Sequence, residues 1–363
     1  MKESGRKRRV KNKPNLNYGV IVENRRFCYM VLGGTRDIVQ GELRRKLRHQ
    51  MKELAHPKKD EIHLTYSGPL KRLLSIRTAQ SVFVRRDFKI SRPRTLLSPE
   101  NMSDLVNWIR SVSQLTGNCW NSFRIDAAGS QSPTMLRIAD AIENALELPY
   151  DPDEGDGVLA MRPGELGWEL LCRIGTRPLA TRSWRKIDYR GSLNAAIAAN
   201  LVFMTQPDPG DRVINIMCGG GTLLIERLLI EKVVFAVGLD VSSSAVTATS
   251  ANTLGASVQN LINIVRCDAK RSGFANSIFN VVMIDLPYNT VGSQRLGNRE
   301  LYLKVIREAA RLCEIGGRAV MITDDHSALN FALSNLKDDW KVMDQRIITQ
   351  RQYRPTCLLL RRI

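Results

Sequence analysis

The segment Asp285-Leu286-Pro287-Tyr288-Asn289 follows directly on the apolar run Val281-Val282-Met283-Ile284. Such a run reads as a buried strand. The Asp285 carboxylate then falls where an open α/β sheet keeps its ligands, beyond the carboxyl ends of its strands. Pro287 stiffens the chain just past it. Tyr288 offers a flat face on which a base can stack. Acid, Leu286, proline and aromatic together form a clamp for an exocyclic amino group on a flat ring. The bland alternative is a strand ending in an ordinary turn.

Three further clusters bear on the same chemistry. Met217-Cys218-Gly219-Gly220-Gly221-Thr222 separates an apolar strand from a helix. Its glycines let the backbone turn sharply and let a ligand come close. The helix start at Thr222 supplies free N–H groups. A glycine cluster alone is unspecific, since dinucleotide enzymes use one too. The next strand ends in Asp240, suited to accepting from ribose hydroxyls. The third ends near Asp268, suited to accepting from an adenine amino group. Three successive strands thus each finish in an aspartate, although aspartates also serve turns and caps.

The elements that must position these residues alternate. Strands are expected at 212–216, 233–239, 261–266, 280–285 and 318–323. Helices are expected at 192–202, from 222, at 243–254 and at 298–313. A hairpin of 340–349 and 356–363 closes the series. This is the pattern of a doubly wound, mostly parallel sheet with an antiparallel closing hairpin. Upstream the pattern is α+β. Strands are expected in YGVIV and RFCYMVLGG, at 62–65 and at 81–88, with helices at 37–54 and 69–79. A second unit has helices at 99–115 and 133–147, the latter with Ser132 as N-cap and Pro133 at its first position. Its strands fall at 122–127 and in GVLAMR and GWELLCRI. The expected division is a basic tail at 1–16, a ferredoxin-like α+β domain at 17–95, an α+β domain at 96–180 and an α/β domain at 181–363.

The 363 residues carry a formal charge of +18. Residues 1–100 hold 25 Lys/Arg against 9 Asp/Glu, and the other 263 hold 29 against 27. The excess therefore belongs to the N-terminal third, which suggests a polyanionic partner for that part. Arg6, Lys7, Arg8 and Arg9 form an unbroken run of cations in the tail. Seven scattered cysteines and four scattered histidines lack the spacing of a disulfide framework or a zinc site, so no metal is expected. No segment approaches the about 18 apolar residues of a membrane span, and a cytoplasmic monomer is expected.

The order CGGGT, GLD, RCD and IDLPYN resembles the class I S-adenosylmethionine-dependent methyltransferases. DLPYN resembles the branch that methylates exocyclic amino groups of nucleic-acid bases. SFRIDA, the helix 133–147, GWELLCRI and RPLATRSWRK resemble the end of a THUMP-type RNA-binding domain and its junction with a methyltransferase. SLNAAIAANLV is similar to the helix that leads into the first strand. Asn298, Glu300, Leu301 and Tyr302 match a stretch seen after the catalytic motif. The resemblance implies an RNA guanine-N2 methyltransferase acting on tRNA, with S-adenosyl-L-methionine as cofactor. It implies a Rossmann-like class I domain behind a ferredoxin-like and THUMP-type region. It makes Asp285, Leu286, Pro287 and Tyr288 catalytic. It makes Asn215, Cys218, Gly219, Gly221, Thr222, Asp240 and Asp268 cofactor-binding. Arg182 and Arg185, at the junction, join Arg6 to Arg9 as RNA-binding cations.

Two positions depart from the resemblance. Asn215 stands where the family usually has an acid, and Leu286 where many relatives have proline. Other readings are an adenine-N6 or cytosine-N4 methyltransferase on rRNA or DNA, and a non-catalytic RNA-binding protein on a degenerate methyltransferase fold. If the tail contacts phosphates, deleting residues 1–13 weakens RNA binding and flattens its salt dependence. A binding titration across salt concentrations checks this, and an unchanged slope assigns the tail to an inert solvated segment.

Overall fold

The computed structural model describes residues 20–288, 295–350 and 352–363. The cationic run Arg6 to Arg9 and Asn289 lie outside them. The N-terminal half contains β1 (Ile21–Met30), α1 (Arg36–Leu47), β2 (Met51–Leu54), β3 (Glu61–Pro69), α2 (Leu70–Leu74), β4 (Ser81–Phe88), α3 (Pro99–Leu115), β5 (Phe123–Asp126), α4 (Pro133–Leu146), β6 (Gly157–Gly164) and β7 (Gly167–Arg173). All seven strands lie in one sheet of order β2-β3-β1-β4-β7-β6-β5. Alternation puts Phe27, Tyr29, Val82, Val84, Leu170 and Cys172 on one face. There they share a single core with Val39 and Leu43 of α1, Leu105 and Ile109 of α3, and Ile138 and Ile142 of α4. The expected boundary at 95/96 therefore falls within one sheet and one core. The join is the β4–β7 ladder, from Phe83 opposite Arg173 to Phe88 opposite Trp168.

Several elements differ from expectation. The helix expected at 37–54 stops at Leu47, because Arg48 takes φ 51°, and Met51–Leu54 pairs with β3 instead. Pairing to a neighbour overrides the apolar helical spacing there. The helix expected at 69–79 is only Leu70–Leu74. Ile21 and Val22 of YGVIV and residues 26–30 of RFCYMVLGG fall along a single strand, β1, bulged between Val22 and Arg25; Tyr18 and Gly19 lie outside the described residues.

The C-terminal half contains α5 (Ala195–Met204), β8 (Arg212–Ile216), α6 (Thr222–Ile230), β9 (Phe235–Asp240), α7 (Ser243–Gly255), β10 (Ile262–Arg266), β11 (Phe279–Asp285), α8 (Arg295–Leu312), β12 (Cys313–Thr323), α9 (His326–Asn335), β13 (Trp340–Ile347) and β14 (Thr356–Arg362). The sheet order is β10-β9-β8-β11-β12-β14-β13. β10, β9, β8, β11 and β12 run parallel, and β14 and β13 close the edge antiparallel, as expected. From β8 the chain runs outward through β9 to β10, then crosses back to β11 on the other side of β8. A ligand crevice opens at such a switch point. Helix α9, capped by Asp325 through Ala328 N–H at 3.0 Å, is not apparent in the sequence pattern.

The two halves are clasped by buried charge. Glu226 on α6 is fully buried. It accepts from Arg77 Nε at 2.6 Å and Nη2 at 2.8 Å, and from Arg182 Nε at 2.9 Å. Glu42 on α1 receives the N–H groups of Arg77 and Thr78, each at 2.9 Å. A second seam is a reciprocal backbone pair between Gly33 and Thr349, at 3.2 and 3.1 Å, flanked by Arg346 on Asp37 at 2.6 Å. Removing one member of a buried ion cluster leaves the others uncompensated, at about 3 kcal/mol or more. Glu226→Ala should therefore lower the thermal unfolding midpoint sharply, whereas a surface change such as Glu300→Ala should not. Scanning calorimetry of the two variants checks this.

Candidate active site

A cleft of about 750 Å³ opens at the carboxyl ends of β8, β9 and β11. It brings together Asn215, Cys218, Gly219, Thr222, Asp240, Asp285, Leu286, Pro287 and Tyr288 from the sequence-derived set. Gly221 takes φ +78°, and a Cβ there would lie 2.8 Å from Thr249. A Cβ on Gly220 would lie 2.8 Å from the Ser192 hydroxyl. Glycine at these positions lets two neighbouring side chains close on the loop. Asp240 accepts from Gly219 N–H at 2.9 Å and Ser242 N–H at 3.0 Å. It thereby ties the loop after β8 to the end of β9 and keeps lone pairs for a ligand. Cys218 is buried, with its thiol near Thr249 and pushed up to about 12 by burial. It is a packing residue rather than a nucleophile.

Asn215 sits one residue before the end of β8, between Gly238 and Met283 of the flanking strands. It is 1% exposed. Its Nδ2 donates to Met283 O at 2.9 Å, while its Oδ1 has no hydrogen-bond partner. A buried acceptor without a partner, on the wall of a cleft, suits a ligand N–H.

Asp285 ends β11, whose residues 281–284 are fully buried. Burial pushes the carboxyl up to about 7, against a smaller opposing pull from the Tyr288 hydroxyl, which donates to Oδ1 at 2.6 Å. Tyr288 packs edge-on against Tyr353, with ring centroids 5.5 Å apart. Leu286 is buried and its N–H bonds Ile322 O at 3.0 Å. The turn is held from behind by Tyr302, whose hydroxyl reaches Pro287 O and lies 2.6 Å from the Thr323 hydroxyl. Asn298 braces the same end by donating to Asp325 at 3.0 Å.

Three sequence-derived residues stand elsewhere. Asp268 is exposed, away from the cleft lining, and caps its own turn through Lys270 N–H at 2.9 Å. Arg182 is absorbed in the clasp with Glu226 and also donates to Arg77 O at 2.8 Å. Arg185 donates to Leu193 O at 2.7 Å and Thr222 Oγ1 at 3.0 Å. Arg182 is therefore engaged at the junction between the halves, and Arg185 ties the segment before α5 to the start of α6 within the C-terminal half. The sequence pattern also missed the strap Tyr189-Arg190-Gly191-Ser192-Leu193 and Val241, all on the cleft wall. Val241 had a signal, as the residue after the strand-end acid. The strap had none, because its place depends on Arg185.

Histidines and acids far apart in the sequence also meet. The rings of His56 and His63 stack at 3.6 Å, and with Glu169, or Cys28 and Glu61 with His63, they make ligand-like clusters. Arg162 pairs with Glu61 at 2.5 Å and Arg85 with Glu169 at 2.7 Å. These guanidiniums take the carboxylates a cation would need.

Residues 182–351 match the family described as UPF0020: RMKL-like, methyltransferase domain. The chain is 24% identical over 162 residues to the mouse (Mus musculus) protein named tRNA (guanine(6)-N(2))-methyltransferase THUMP3, covering 41% of this chain and 32% of that one. The chain thus spans about a third of the length of that relative. It is 27% identical over 223 residues to a tRNA (guanine(6)-N2)-methyltransferase of Thermus thermophilus, covering 58% of this chain and 65% of that one. The crystal structure of TrmN from Thermus thermophilus superposes with a TM-score of 0.74 at 20% identity, over 93% of this chain and 99% of that one. The fold is that of the class I methyltransferases behind an N-terminal α+β half.

The raised Asp285 carboxyl links stability to pH. Its folded-state pKa lies above the ordinary carboxylate value, so the folded chain holds a proton that the unfolded chain releases. Stability drawn from the neutral form is full below about pH 4 and is lost as pH rises to about 7. Asp285→Asn should remove this component. The stability of the variant relative to the native chain should rise between pH 4 and 7, as denaturant unfolding at the two pH values would measure.

Proposed function

We propose that this chain, whose residues 182–351 form a methyltransferase domain of the UPF0020 type, transfers a methyl group from S-adenosylmethionine to N2 of a guanine in tRNA. The observation that carries this reading is the shared cleft. The glycine loop, Asp240 and Asn215 line one part, and Asp285 to Tyr288 line the other. The lining fits the cofactor. Asp240 suits ribose hydroxyls, the loop at 219–221 allows close approach, and the unpartnered Asn215 Oδ1 suits an ammonium. S-adenosylmethionine, when bound, supplies an electrophilic sulfonium methyl.

Guanine N2 is a weak nucleophile because its lone pair is delocalised into the ring. Asp285 accepts one of its N–H bonds and the Leu286 carbonyl the other, which raises electron density on nitrogen. Tyr302 fixes the turn that presents both acceptors. The target base must leave its stack to reach Asp285. Tyr288 then has two roles, as a stacking face and as a donor that holds Asp285 Oδ1. As nitrogen gains the methyl its acidity rises, and Asp285 takes the proton. A carboxyl poised near 7 is better matched to that transfer than an ordinary one. No covalent enzyme intermediate is required.

RNA contacts belong to the exposed cations of the N-terminal half. Arg48, Lys71 and Arg72 are exposed where the ends of α1 and α2 adjoin, a junction tied by Lys46 to Ser75 O at 2.6 Å and Arg72 to Gln50 at 2.8 Å. The clasp on Glu226 fixes this surface relative to the cleft. Among the described residues no helix is long and apolar enough to cross a membrane. The reading places the protein in the cytoplasm, where its seven free cysteines stay reduced.

Transfer of label from S-adenosylmethionine into bulk tRNA should yield N2-methylguanosine in the nucleoside digest. The rate should rise with pH and level off above about 7, as Asp285 ionises. Asp285→Ala should lower the rate at least about a hundredfold without changing RNA affinity. Labelled adenine would redirect the reading to adenine-N6 chemistry, and no transfer with no cofactor binding would remove it.

A further inference from the structure

One end of the cleft is built differently from the rest. The fully buried wall residue at the end of β8 is an amide, Asn215, with its Oδ1 unpartnered. Across the glycine loop the Ser192 hydroxyl is also buried and without a hydrogen-bond partner. It lies so close to Gly220 that a Cβ there would meet it at 2.8 Å. Arg190, on the same strap and the same wall, is exposed and has no ion pair or hydrogen bond among the described residues. Helix α6 begins at this point, and its first intrahelical bond is Ile225 N–H to Gly221 O. The N–H groups of Thr222, Leu223 and Leu224 therefore have no partner within the helix.

A guanidinium, a hydroxyl and a helix N-terminus all favour an anion. A neutral amide oxygen accepts a hydrogen bond from a cation but does not balance its charge. A zwitterion lying across this end would be gripped at its negative group. Resting on the methyl-donor reading above, we propose that the cofactor's amino-acid end is held here mainly by its carboxylate. Arg190, Ser192 and the first turn of α6 hold that carboxylate, and Asn215 accepts from the ammonium. The strap owes its place to Arg185, which bonds Leu193 O and Thr222 Oγ1, so this grip is shaped where the strap meets the start of α6.

Calorimetric titration with S-adenosylhomocysteine and with 5′-methylthioadenosine, which lacks the amino-acid end, tests the assignment. Arg190→Ala and Ser192→Ala should each weaken S-adenosylhomocysteine about tenfold, the size of one charge-assisted hydrogen bond. Both variants should leave methylthioadenosine unchanged, which also reports that they are folded. Raising the salt concentration should weaken the first ligand and not the second. Native affinity for S-adenosylhomocysteine in both variants, or an equal loss of both ligands, overturns the proposal alone. A native chain that binds neither ligand overturns the methyl-donor reading with it.

Discussion

A carboxyl group at the end of a strand buried on both faces is poorly solvated, and its surroundings must settle its charge. Asp285 is that group. Its strand is fully buried from Val281 to Ile284, its neutral form is favoured up to about pH 7, and the one charge-stabilising contact described for it is the Tyr288 hydroxyl. Tyr302 and Asn298 hold the turn and the neighbouring strand end from behind. The arrangement lowers stability at neutral pH, the pattern of a functional site rather than of a fold-stabilising acid.

The same principle governs the junction of the two halves. Glu226 lies on the helix that opens at the glycine loop and is buried against Arg77 of the N-terminal half and Arg182 of the segment that joins the halves. Burial without that compensation would be strongly unfavourable, so the halves are locked in register. Arg185 extends the lock to the cleft by pinning the strap to Thr222. The exposed cations of the N-terminal half are thus held at a set distance from the cleft. Arg182, which looks available in the sequence, is engaged in this register.

Much of the C-terminal half was legible because a buried parallel strand writes itself as an uninterrupted apolar run. β8 falls at 212–216 as expected, and the helix at 99–115 matches α3, with its stripe of Leu105, Val106, Ile109 and Val112. The end of α1 was not legible, because a single residue, Arg48, enters the φ-positive region and tertiary pairing claims Met51–Leu54. The single N-terminal sheet was not legible either. Pairing between Phe83 and Arg173 is a contact over 90 residues that no local pattern encodes. In the cleft, Asp240 and Asp285 followed from their strands. Asp268, also near a strand end, lies outside the lining, because strand-end position alone does not decide whether a carboxylate faces a ligand or caps its own turn.

The central claim is that Asp285 is a carboxyl held near neutrality so that it can take a proton from a base. Titration of aspartate side-chain carboxyls by carbon NMR in the isotopically labelled chain observes it directly. One resonance should titrate near pH 7 and disappear in Asp285→Asn. If every aspartate resonance titrates below about pH 5, Asp285 is an ordinary solvated acid and the account is contradicted.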